Sequence, residues 1–388
     1  MKKLLAILLS TTCALSVAPA LSQEPPPPVP FETVGVKEAI DPGPNLFLLQ
    51  QSWDGASTLQ VFDAVDLTYK GGMGTGMMAQ SVVSADGLTA YTMSTYLSRL
   101  TYGDTLMVLQ AFDIATLTPT LEVVLPPKIA MVGPYEHLLQ LSADERFALV
   151  MNATPAASVT IVDLVAGEVT AEIPTPGCWE IYPATTGLKW TMLCGDGTAR
   201  TFVMNDAGTE VVSQEATPVF DADTDPLFVH AERGAGDELI FVSYGGSVYS
   251  ISDAGTAPEL LSTFSFADDL ELPYAPGGYQ LTAYNEANDV LFVTVHADPY
   301  DGSHKDGSTE IWVVDLANEA LLYRLQPEEH GFISLEVTDG DRPVLYGFTE
   351  HSYTVHVFDI DLTAPFGIIM TETGVVDVPG GQVLAVRE

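Results

Sequence analysis

The residues of this chain best suited to chemistry are few. His304 and Lys305 stand side by side in a glycine-bracketed loop that opens "YDGSHKDGSTEIWVVDL", Tyr300 to Leu316, in a chain with only 14 Lys and Arg. The other histidines, His137, His230, His296, His330, His351 and His356, are scattered. His351 and His356 do not make a metal pair, because an odd spacing on a strand sends the two side chains to opposite faces. There is no G-x-S-x-G elbow and no H-E-x-x-H. The stretch "GGMGTGMM", Gly71 to Met78, lacks the Lys-Ser/Thr ending and the following helix of a phosphate loop. It is expected to be a flexible loop near a central opening, with Met77 and Met78 offering adaptable apolar surface. No catalytic residue and no metal ligand set is assigned to this chain.

The N-terminus, MKKLLAILLSTTCALSVAPALSQE, has two lysines, an apolar run and then small residues. Ala20 and Ser22 occupy the −3 and −1 positions of a cut before Gln23. Residues 1–22 are therefore expected to be a signal peptide, and export is expected. The apolar run falls short of the roughly 18–20 residues needed to span a bilayer. Cys13 has a poor lipoprotein context, so the mature chain keeps Cys178 and Cys194. Each lies beside a turn signal that would bring two strands together, so a local disulfide is expected. The formal charge of −38 repels phosphate backbones and anionic membranes. It suits a cationic partner or substrate, and equally a saline habitat.

The elements that would hold any site come from a repeat. A run of aliphatic and aromatic residues ending in Asp returns seven times, at Asp63, Asp113, Asp163, Asp206, Asp253, Asp315 and Asp359. Intervals of about 43 to 62 residues are in or near the range of propeller blades. Paired strand signals precede each phrase and another strand follows it. The expectation is an all-β chain, a seven-bladed β-propeller over residues 45–388, preceded by a proline-rich extended segment at 23–44. The first unit lacks an inner strand, and "GVVDVPGGQVLAV" at the C-terminus is spare. The C-terminal strand should join the first blade and close the ring. The recurring aspartates are expected to cap turns.

Several stretches, in this order and spacing, resemble the heavy subunit of quinoprotein amine dehydrogenases, the methylamine and aromatic amine dehydrogenases. They are "STYLSRLTYGDTLMVLQAFDIATLTPTLEVVLP", "SADERFALVMNATPAASVTIVDL", the cysteine-bearing "GCWEIYPATTGLKWTMLCGDG", "YAPGGYQ" and "GSHKDGSTEIWVVD". The resemblance implies a propeller without a redox cofactor of its own. Tryptophan tryptophylquinone would sit on a separate small subunit in a periplasmic α2β2 assembly. Primary amines would leave as aldehyde and ammonia, and electrons would pass to a cupredoxin of the amicyanin or azurin type.

In that frame His304, Lys305, Arg99 and Asp104 are candidates for intersubunit contacts, with an inter-blade ion pair the competing role for Arg99. Met77 falls where the family places a bulky aromatic lining the substrate channel. Trp53, Trp179, Trp190 and Trp312 read as core or interface anchors. The family's long N-terminal arm is replaced here by the proline-rich segment, so the dimer contact that arm makes in the family is not expected in the same form. The competing expectation is a stand-alone propeller, either a ligand-binding protein or a lactonase-like hydrolase.

Overall fold

The computed structural model describes residues 35–99, 102–267, 273–329, 331–365, 367–381 and 383–387. The expected signal peptide and most of the proline-rich segment lie outside these residues. One compact unit, Glu38–Glu388, holds all the sheets.

The described residues form seven antiparallel sheets in chain order, and each is a meander of neighbouring strands. This is the seven-bladed β-propeller. The innermost strands are Met77–Val83, Leu139–Leu141, Cys178–Pro183, Leu227–Arg233 and Phe332–Val337 in blades 2, 3, 4, 5 and 7. Blade 6 divides its innermost position between Tyr274–Pro276 and Thr282–Asn285. Blade 1 takes its innermost strand from the C-terminus: Val383–Arg387 pairs with Asn45–Gln50, Leu49 opposite Val383 and Asn45 opposite Arg387. The ring closes as the repeat count requires.

Burial explains why these sequences make blades. In blade 3 the middle strands, Phe147–Asn152 and Ser158–Asp163, are buried at every residue. The outermost strand, Glu168–Pro174, has no fully buried residue and mixes half-buried with exposed positions. Middle strands covered on both faces by neighbouring blades read as continuous apolar runs, and the rim strand reads as mixed. One apolar cluster runs from Met93 and Leu109 through Leu149 and Ile161 to Trp190 and Phe202, joining three successive blades. Trp190 stacks on Phe202 at 5.2 Å.

The repeated aspartates cap turns in four of the seven units. Asp63, Asp113, Asp163 and Asp315 each accept a backbone N–H two or three residues on. In blade 7 the strand continues past Asp359, and Asp361 caps instead through Thr363 N. Asn205 replaces Asp206 in blade 4, and Asp253 turns inward to Arg233. The glycine run at 71–78 differs more. It is paired strand, Tyr69–Thr75 in blade 1 followed after Gly76 by the inner strand of blade 2. Glycine there serves close approach, since a Cβ on Gly76 would lie 2.5 Å from the Thr95 carbonyl oxygen.

Candidate functional site

The inner strands all run the same way, which gives the propeller axis two unlike ends. Residues at or just before their starts, Tyr135, Trp179, Phe228 and Tyr279, line a pocket of about 230 Å³ with Tyr244, His304 and Lys305. Residues at their ends, including Val83, Pro183, Arg233, Val337 and Arg387, line a cavity of about 770 Å³ at the other end. Because each second strand runs back, the turns between second and third strands share the end where the inner strands start.

That end gathers the residues singled out in the sequence. His304 lies in a short 3-10 turn, stacks on Tyr244 at 4.6 Å and accepts a hydrogen bond at its carbonyl from Gly278 N. Burial and the adjacent Lys305 charge hold its imidazole below the ordinary histidine range. Lys305 is exposed. Arg99 and Asp104 flank the turn of the longest hairpin, whose strands have 11 and 12 residues against six or seven in most others. Both are exposed, Arg99 lies 5.5 Å from the centre of the Tyr102 ring, and Tyr102 is 61% exposed. Met77 is half-buried where the blade 2 inner strand begins. Met78 differs from the surface role expected of it: it is 3% exposed, turned inward by a left-handed backbone at φ 56°. Cys178 and Cys194 are disulfide-bonded directly across the first hairpin of blade 4. Trp53 is exposed, Trp179 half-buried, and Trp190 and Trp312 fully buried. His351 is exposed while His356 is buried against Glu372, so the two make no pair; His330 lies outside the described residues.

Between the two ends lies a cluster that reading the sequence missed. Glu136 and His137 come from the turn before the blade 3 inner strand, Glu180 from blade 4, His230 and Glu232 from blade 5, and Glu336 from blade 7. His230 sits between two carboxylates, Nδ1 3.5 Å from Glu136 and Nε2 3.0 Å from Glu232. His137 donates through Nε2 to the Ala231 carbonyl at 2.9 Å, and its ring centre is 5.4 Å from that of His230. Gln280 of blade 6 bridges Glu336 to the C-terminal strand, pairing with both the N–H and the carbonyl of Leu384.

Removal from water dominates the electrostatics here. It raises the Glu136 carboxyl to about 7, with His230 opposing and Glu232 adding. It raises Glu180 and Glu336 well above the carboxylate range. His137 is pushed down to about 3 by burial and by His230. Burial would also lower His230, but the Glu232 hydrogen bond and the surrounding carboxylates outweigh it and hold its pKa at about 9. A lone imidazolium thus acts as internal counter-ion to several carboxyl groups.

The signal for this cluster was present in the repeat. The first strand of most units carries a polar residue amid apolar ones: Gln80 in "MMAQSVV", Glu180 in "CWEIYP", His230 in "LFVHAER", Glu336 in "FISLEV". Superposing the units would have stacked these positions on one axis.

Comparison with known proteins agrees with the architecture. The sequence profile of the family described as methylamine dehydrogenase heavy chain (MADH) matches residues 51–371. The methylamine dehydrogenase heavy chain of Methylophilus methylotrophus is 26% identical over 307 residues, covering 78% of this chain and 74% of that one. The heavy chain from Paracoccus versutus is 27% identical over 293 residues, covering 73% and 66%. Among solved structures, a putative 6-phosphogluconolactonase from Bacteroides fragilis has a TM-score of 0.60 at 14% identity, covering 89% of this chain and 98% of that one. Dihydro-heme d1 dehydrogenase NirN has a TM-score of 0.54 at 16% identity, covering 84% and 63%. At such identities these two show a shared fold and nothing about chemistry. The profile match spans most of the propeller, and on that ground the chain belongs to the methylamine dehydrogenase heavy chain family.

Proposed function

We propose that this chain is the non-catalytic heavy subunit of a periplasmic amine dehydrogenase, holding a small subunit that carries tryptophan tryptophylquinone. The observation that carries this reading is family membership across residues 51–371. The end of the propeller bearing Met77, Arg99, Asp104, His304 and Lys305 is the docking face. Its projecting blade 2 hairpin, with Tyr102 and Leu106 exposed, supplies the apolar and charged contacts such an interface uses. Met77 walls the amine channel where the two chains meet, while buried Met78 supports it from beneath. The complex is an α2β2 tetramer that oxidises primary amines to aldehyde and ammonia and passes electrons to a cupredoxin.

The quinone belongs to the partner chain in this proposal. This chain's own tryptophans do not fit the group: among the described residues no ring contact joins two of them. Trp190 stacks on Phe202, and Trp312 packs with Phe266 and Tyr274.

Quinone staining of a denaturing gel, run on protein purified from its own cells, tests the reading. A small co-purifying band that stains, with amine turnover in the native preparation, is expected. A single unstained band would overturn it in favour of a lone propeller that binds ligands at its central opening.

A further inference from the structure

Two histidines, His137 before the blade 3 inner strand and His230 in blade 5, approach each other with their Nε2 atoms already engaged. His137 donates from Nε2 to the Ala231 carbonyl, which leaves the lone pair on Nδ1, a buried atom with no hydrogen-bond partner. His230 holds Nε2 against Glu232, and that same carboxylate oxygen accepts from Thr282 Oγ1 at 2.9 Å. Its Nδ1 faces Glu136. One donor atom from each of Glu136, His137 and His230 lies within 4.8 Å of the others. Metal-bound imidazoles characteristically anchor the second ring nitrogen on a carboxylate or a carbonyl, and both arrangements occur here.

Glu180 supplies the independent observation. It is 0% exposed and close enough to His230 and Glu136 to feel both charges, yet neither of its carboxyl oxygens has a hydrogen-bond partner. An unpaired buried carboxyl group is costly. It sits there at a second cost, because its backbone is left-handed, φ 59°, where the inner strand of blade 4 slips register. Two local penalties at one residue, beside His230 and Glu136, call for a missing partner.

We propose that Glu136, His137, Glu180 and His230 form a binding site for a divalent transition-metal ion of the zinc type. Mixed imidazole and carboxylate donors suit such an ion, whereas Ca²⁺ and Mg²⁺ favour all-oxygen sets. Four-coordinate geometry with ligands at ~2.1 Å needs donors ~3.4 Å apart, so the side chains draw inward when the ion binds. The cavity lined by Glu136, His137 and Glu232 gives the ion its route in. The bound ion ties blades 3, 4 and 5 together at the axis and partners the Glu180 carboxylate. This site stands apart from the amine dehydrogenase reading and does not depend on it.

The test uses the full chain with any co-purifying partner, stripped with chelator and titrated with Zn²⁺ by calorimetry and with Co²⁺ by visible absorption. One equivalent per chain is expected, with intense Co²⁺ bands of a four-coordinate site and a higher Tm on loading. His137→Ala and Glu180→Gln should each weaken Zn²⁺ binding at least tenfold, while His351→Ala, at an exposed histidine, leaves it unchanged. Glu180→Gln, nearly isosteric, carries the test if His137→Ala fails to fold. The proposal is overturned if the wild type takes up no stoichiometric Zn²⁺, if Ca²⁺ binds in preference, or if the Glu180 variant binds like the wild type.

Discussion

Met77 and Glu336 show how position along an inner strand decides what a residue can do. Met77 begins its strand at the end proposed as the docking face, and on that proposal its side-chain bulk would set which amines pass. Met77→Phe is expected to shift the ratio of kcat/KM for a bulky over a small amine by about 10–100-fold toward the small one. An unchanged ratio removes Met77 from the channel. Glu336 lies deep in blade 7, held by Gln280 and the Val386 N–H, and burial raises its pKa. A raised folded pKa contributes stability that is complete below the unfolded carboxyl value and is lost as pH rises toward the folded one. Wild-type stability should therefore fall from about pH 5 upward by as much as ~1.4 kcal/mol per pH unit from this group alone. Glu336→Gln should flatten that slope, whatever offset it adds; denaturant titrations at several pH values with chelator present would reveal parallel curves if the idea is wrong. The identity of such residues was plain in the sequence, but their convergence was not. His137 meets the carbonyl of Ala231 across 94 positions of chain, a distance that no local motif spans.

Blades were the most legible elements, because middle strands sealed on both faces leave uninterrupted apolar runs ending in turn-capping aspartates. The glycine-rich stretch at 71–78 misled for a physical reason. Composition speaks for flexibility, but the run is paired strand, and at Gly76 neighbouring backbone comes too close for a side chain. Gly76 is buried, donates to Ser94 Oγ and accepts from the Ser57 N–H. Gly76→Ala should cost about 1–3 kcal/mol by forcing the Thr95 backbone away. A stability loss of only a few tenths in urea unfolding would mean that the strand crossing has room to spare. The register slips at Met78 and Glu180 belong to the same lesson. Each turns one side chain from its regular alternation, and nothing in the local residue pattern announces it.

At the scale of the molecule, the charge of −38 suits either a basic partner or a saline habitat. If it guides a basic electron acceptor, reduction of that acceptor should slow as salt rises from ~0.01 to ~0.15 M and the screening length falls from ~30 to ~8 Å. Stopped-flow rates indifferent to salt would leave habitat as the account of the acidity. The number of blades and the closure of the ring could be read by counting phrases, since one unit lacked a strand and the terminus held one over. That closure also governs timing during synthesis. Arg387 pairs with Asn45, so the first blade made is the last completed, its inner strand following all the other blades along the chain. Until Val383–Arg387 is made, Asn45–Gln50 presents an unpaired edge, and a chain that stops short of that strand is left an open ring with the edge bare. The fold thereby couples ring closure to synthesis of that one strand: a chain terminated before it keeps an exposed edge by which quality-control proteases can find it.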